Sequence, residues 1–264
     1  MKKFHIGIFI LAAVLSNLSC ERNGGSEGMK IIFLHHSTGR IIWEAGVEDC
    51  LKQYSRNGGI KCSIREKEFP REKPYGWKNY PYDYWNIWVN NGGGGKYMKE
   101  PTLEYLAGRY DIIVFKHCYP VSALKPCPGE PSVDSEFKCP ENYKLQYRAL
   151  KEKMHSFPDC RFLVWTGAAL VKGATDEQSA KRARSFFEWV RDEWDQEGDN
   201  IYIWDFYELE TEGGLYLRDE YARSLTNSHP SESFARKAAP LFCNRLIDVM
   251  EGRADSTGVN GKRQ

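Results

Sequence analysis

A serine hydroxyl is a poor nucleophile at neutral pH until a neighbouring base takes its proton, and histidine is the usual base. Two distant positions offer that pair. Ser37 lies in the stretch His35, His36, Ser37, Thr38, Gly39, directly after the apolar run Ile31 to Leu34. His229 lies in Thr226, Asn227, Ser228, His229, Pro230, just before a long segment of helical spacing. Asp205 closes another apolar run, Ile201 to Trp204, and is a candidate to orient the histidine. Gly92 to Gly95 form a block whose backbone N–H groups can approach a ligand without side chains in the way, so Gly92 and Gly93 are candidate oxyanion contacts. His36 and His117, each at the end of an apolar run, are candidate substrate or oxyanion contacts.

These residues need a scaffold that brings the ends of several strands together. Continuous apolar runs at 31–34, 111–115, 162–165 and 201–204 read as buried parallel strands, with a weaker, more charged strand at 60–68. Segments with one apolar face separate them. Tyr143, Tyr147, Leu150 and Met154 mark one helix, Ala180, Ala183, Phe187, Val190 and Trp194 a second, and Phe234, Ala238, Leu241, Leu246 and Val249 the last. Alternation of this kind predicts a three-layer α/β/α sandwich around a mostly parallel sheet, of the flavodoxin-like type. Such sheets bind ligands at their carboxyl edge, where Ser37, His117 and Asp205 would all lie. Residues 69–88 are rich in Tyr and Trp, interrupted by Pro70, Pro74, Gly76 and Pro81, and read as an ordered loop. Its aromatic faces either line a glycan or acyl site or pack into the core.

The chain has 264 residues and a net charge of +1, which gives no electrostatic reason to expect nucleic acid as a partner. Its first 19 residues read as an export signal: Lys2 and Lys3, an apolar run from Ile6 to Leu15, then Leu18, Ser19 and Cys20. A small residue followed by Cys resembles a bacterial lipoprotein signal, which implies lipidation at Cys20, a membrane anchor and a place in the cell envelope. Without residues 1–19 the chain carries 35 basic residues against 36 acidic. Residues 20–28 read as a flexible tether, 29–251 as one domain and 252–264 as a polar, disordered tail. Export implies an oxidising compartment. Cys127 with Cys139 and Cys50 with Cys62 are the expected local bridges, and Cys118, Cys160 and Cys243 read as small buried residues.

The order of these features resembles the SGNH/GDSL-type hydrolases. Ser37 after the first strand matches that family's nucleophile, Gly92 to Gly95 its glycine block, and His229 with Pro230 the histidine ahead of its last helix. The resemblance spans about residues 29–250. It implies a serine-dependent ester hydrolase acting on an acylated carbohydrate or a short-chain acyl ester, without metal or cofactor. Three features depart from the family. Ser37 is preceded by His-His rather than Gly-Asp, Thr226 stands where the family has its triad acid, and no Asn occurs between Lys116 and Ser122 to complete the oxyanion donors. The missing acid and Asn favour an alternative, a non-catalytic glycan-binding lipoprotein on the same fold. A metal-dependent phosphoesterase built on His35, His36 and His229 is disfavoured, because acids at the strand ends are few.

Overall fold

The computed structural model describes residues 28–263, apart from Glu72 and Trp77. The export segment, Cys20, most of the tether and Trp77 of the aromatic stretch lie outside the described residues. Among the described residues no helix is long and apolar enough to cross a membrane.

Five strands form one parallel sheet: β1 (Met29–His35), β2 (Cys62–Glu68), β3 (Ile112–Lys116), β4 (Arg161–Trp165) and β5 (Ile201–Trp204). Their spatial order is β2-β1-β3-β4-β5, so β1 has β2 on one side and β3 on the other. The chain winds away from β1 in both directions, which opens a crevice at the carboxyl ends of β1 and β3. In doubly wound sheets this switch point is where ligands bind.

Side chains alternate across β1. Ile31 and Phe33 enter an apolar cluster with α1 (Ser37–Glu44), α2 (Val47–Arg56) and α8 (Glu232–Met250). Ile32 and Leu34 enter a second cluster with α3 (Pro81–Trp85), α4 (Leu103–Ala107), α5 (Pro140–His155) and α6 (Glu177–Trp189). Both faces of the sheet are therefore covered, and the fold is a three-layer α/β/α sandwich. α7 (Phe206–Thr211) follows β5, and a hairpin of β6 (Ala222–Ser224) and β7 (Asn227–Pro230) leads into α8.

Three expectations change. The aromatic stretch is not a loop throughout: Pro81 occupies the first turn of α3, where its missing N–H costs nothing, and a π-helical turn, Asn86–Asn90, follows. Phe69, Tyr84 and Trp88 are completely buried there, and Trp85 nearly so, which makes these four residues core rather than platform. Cys50 bridges Cys243, not Cys62, and joins α2 to α8 across 193 residues; Cys127 bridges Cys139 as expected. The described part of the tail, 252–263, is anchored to the domain by hydrogen bonds. Asp205 and Trp204 donate to Val259 O and Asn260 O, and the buried guanidinium of Arg245 donates to Ala254 O.

Candidate active site

β1 ends in His35, and His36 is the extended residue from which α1 starts, so Ser37 opens the helix at the carboxyl edge of the sheet. The first-turn N–H groups of α1 have no partner within the helix and point to the same edge. Ser37 is half-buried. Its Oγ lies 3.7 Å from the Sγ of Cys118, which follows the end of β3. Thr38, the next residue, donates from Oγ1 to the Tyr119 hydroxyl at 3.2 Å. Tyr119 in turn packs its ring edge-on against the His229 imidazole, centroids 5.3 Å apart. The switch crevice thus gathers Ser37, Cys118, Tyr119 and His229 from β1, β3 and β7, with the hairpin seated against α1.

His229 is held from its own strand. Residues i and i+2 of a strand share a face, so Asn227 stands beside it. Asn227 Oδ1 accepts the backbone N–H of His229 at 3.1 Å and lies 2.8 Å from its Nδ1. Because the backbone amide can only donate, that atom is an acceptor and Nδ1 carries the hydrogen. The lone pair of His229 is then on Nε2. Partial burial lowers the basicity of His229, and the charges of Arg223 and Lys116 lower it further.

Asp205 does not orient this histidine. It accepts from Thr166 Oγ1 at 2.6 Å and from the Glu208 N–H at 3.3 Å, which caps α7, and Arg191 Nη1 lies 3.3 Å away. Capping is the commonest use of an Asp at a helix start. Gly92 and Gly93 sit at the opposite edge of the sheet from Ser37. A Cβ on Gly92 would touch Trp88 O and the Lys153 ammonium, while Gly93 N–H bonds Glu104; Lys153 and Glu104 belong to α5 and α4, which lead into the amino ends of β4 and β3. His36 donates from Nε2 to Pro70 O at 2.9 Å and so ties β1 to the segment after β2. Burial takes its pKa down to about 4, so the ring is neutral. His35 is buried beside Glu66, with Nε2 2.8 Å from Oε2, and burial takes it to about 3. His117 falls on the other face of β3 and is enclosed by Tyr84, Phe115 and Tyr147, its basicity strongly suppressed by complete burial. Strand alternation, which separates 116 from 117, takes His117 away from Ser37.

Four residues of the site escaped the sequence reading: Asn227, Tyr119, Lys116 and Glu210. Asn227 carried a usable signal, its i, i+2 relation to His229, once 227–230 is taken as a strand. Lys116 and Tyr119 flank the end of an apolar run, yet a lysine closing a buried strand reads as a solvated residue. Glu210 is one of several acids on α7 and has no distinguishing pattern.

No protein-family model matches the chain, and no curated protein is similar to it in sequence. Among solved structures it is similar to a gut microbial diltiazem-metabolizing enzyme at 10% identity and a TM-score of 0.45, over 88% of this chain and 48% of that one. The chain spans about half the length of that protein. At this level the likeness carries no argument about activity.

Proposed function

We propose that the chain is a serine-dependent ester hydrolase, with Ser37 as nucleophile and His229 as base, acting on a short-chain acyl ester or an acylated carbohydrate. The observation that carries this reading is the Asn227–His229 contact, which puts the imidazole in the tautomer a base needs, on a strand seated against the helix that Ser37 opens. An Asn in the orienting place also serves the Cys-His-Asn proteases. The order of Ser37 and His229 along the chain supports the same reading through its resemblance to SGNH-type hydrolases.

In this mechanism Ser37 Oγ attacks the ester carbonyl carbon and its proton passes to His229 Nε2. The tetrahedral intermediate collapses, and the leaving alkoxide takes that proton from His229. Water, deprotonated by the same nitrogen, then attacks the acyl carbon; the bond to Ser37 Oγ breaks, Oγ takes the proton back from His229, and the acid is released. Asn227 is neutral, so it sets the tautomer without offering the imidazolium a counter-charge.

The glycan-binding alternative rests on the missing acid and Asn, and Trp85, one of its candidate sugar contacts, is core. Short-chain acyl esters are accordingly the first substrates to test. Purified protein should hydrolyse 4-nitrophenyl acetate, and Ser37→Ala should lower kcat by about 10³-fold or more. Equal rates for the two proteins across a broad ester panel would end the proposal. The export reading places the enzyme in the cell envelope through Cys20, which incorporation of labelled fatty acid into wild type but not Cys20→Ala would support.

A further inference from the structure

Two ionisable side chains lie beneath the crevice with polar atoms that no other described residue satisfies. Lys116, the last residue of β3, is completely buried, and its Nζ has no hydrogen-bond partner among the described residues. Glu210, on α7, is also completely buried. Its Oε2 accepts the Ala169 N–H at 2.7 Å while its Oε1 has no partner among the described residues. Lys116 lies under the start of α1, so close that a Cβ on Gly39 would stand 3.0 Å from its Cδ. Its charge interacts with Cys118, whose sulfur is the Ser37 neighbour, and with Glu210, whose charge also reaches Tyr119. Burying an ammonium with no partner is strongly unfavourable, and such a group under a nucleophile is a preorganised donor for negative charge that develops there. The chain has no Asn after β3 to supply an oxyanion donor, and the glycine block lies at the far edge of the sheet.

We infer that Lys116 is the oxyanion donor of this site, its Nζ–H bonding the carbonyl oxygen of the acyl ester as that oxygen becomes negative. The inference rests on the reading of Ser37 as nucleophile. As the Ser37 Oγ–carbon bond forms, the carbonyl π pair moves onto oxygen and is stabilised by the ammonium. When the leaving-group bond breaks, the pair returns to re-form the carbonyl and Lys116 is unchanged. Burial pushes the Glu210 carboxyl up to about 8, so at neutral pH it is largely protonated and leaves the ammonium without a full counter-charge. The role therefore falls to Lys116, with Glu210 as a neutral neighbour.

The test compares wild type, Ser37→Ala, Lys116→Met and Lys116→Arg on 4-nitrophenyl acetate, with phenylboronic acid as a tetrahedral mimic. Lys116→Met should lower kcat about 100-fold with KM within about threefold, weaken boronate inhibition in parallel, and be partly rescued by Lys116→Arg. A folded Lys116→Met with kcat and boronate affinity near wild type overturns the inference while leaving the hydrolase intact. Equal rates for wild type and Ser37→Ala overturn both. Should Lys116→Met fail to fold, wild type decides alone. Burial lowers the basicity of Lys116 from its ordinary 10.5 against opposing Cys118 and Glu210, with His35, His36, His117 and His229 around it. The kcat profile must then fall on its alkaline side before pH 10.5, and a flat profile to that point overturns the role.

Discussion

His229 is oriented by a neutral amide two residues away on its own strand, with Nδ1 2.8 Å from Asn227 Oδ1. The hairpin thus carries both the proposed base and the group that orients it. Replacing Asn227 by Ala should leave the fold intact, because residue 227 is exposed, while the imidazole loses its fixed tautomer. kcat on 4-nitrophenyl acetate should fall about 10- to 100-fold with little change in KM. Asn227→Asp restores the acceptor and adds a counter-charge for the imidazolium, so it should keep more activity than Ala and move the acid limb of the pH profile upward. An Asn227→Ala enzyme as active as wild type would remove Asn227 from the mechanism.

The pH profile itself tests the base. Burial, Arg223 and Lys116 all disfavour the charged form of His229, so its pKa lies below the ordinary 6.5. A base with a lowered pKa stays unprotonated further into acid. The acid limb of kcat/KM should therefore have its midpoint below pH 6.5. Arg223→Gln removes one repulsive charge and should shift that midpoint upward. Because Arg223 is exposed, added salt should screen its field and shift the wild-type midpoint the same way. A midpoint above 6.5 that ignores both changes would point to another group.

The parts of the molecule legible in the sequence were those written in local patterns. The strands at 31–34, 112–115, 162–165 and 201–204 are continuous apolar runs because both faces of the sheet are covered, and their alternation with helices foretold the sandwich. The position of Ser37 was legible because a strand end followed by a helix puts it at the carboxyl edge of the sheet. What stayed hidden depended on long-range geometry. Nothing local says that Cys50 reaches Cys243 instead of the nearer Cys62, or that Glu210 on α7 turns inward below β3. The aromatic stretch misleads because a proline such as Pro81 breaks a helix interior but fits a helix start, and here it starts α3. His117 misled for a subtler reason: two adjacent residues at a strand end point to opposite faces, and burial selected Lys116 for the face under Ser37.

The buried carboxyl of Glu210 makes stability depend on pH. Its pKa in the folded chain is about 8, above the ordinary 4.5. A raised folded pKa means the folded state holds the proton more tightly. The stabilisation is fully present below pH 4.5 and is lost as pH rises through about 8. Wild type should therefore lose about 4–5 kcal/mol from this group across that window. Glu210→Gln keeps an oxygen for the Ala169 N–H and removes the titration, so its urea midpoint should vary much less between pH 5 and pH 8. Parallel curves for the two proteins would show that Glu210 titrates alike in the folded and unfolded chains.

The Cys50–Cys243 bridge, with Cys243 completely buried in the core, should matter strongly for stability. It closes a span of 193 residues and clamps α2 onto α8, two of the three helices that cover Ile31 and Phe33 of β1. Tyr54, one turn further along α2, repeats the connection by donating to Glu251 Oε1 at 2.8 Å. Long closed spans restrict the unfolded chain most, so removing the bridge by Cys50→Ser with Cys243→Ser should cost about 2–4 kcal/mol. Cys62 is a free thiol on β2 with Ser55 Oγ 3.5 Å from its sulfur, and Cys62→Ser should change stability by less than about 0.5 kcal/mol. The two substitutions discriminate between the pairings. If Cys50 were bridged to Cys62, a closure of a dozen residues, then Cys62→Ser would be as costly as Cys50→Ser and Cys243→Ser would be nearly silent. Chemical denaturation of the three single variants, with peptide mapping of the unreduced protein, separates these outcomes. Because α1 and the β6–β7 hairpin rest on the same layer as α8, loss of the Cys50–Cys243 clamp should also raise the temperature sensitivity of ester hydrolysis before the chain unfolds globally.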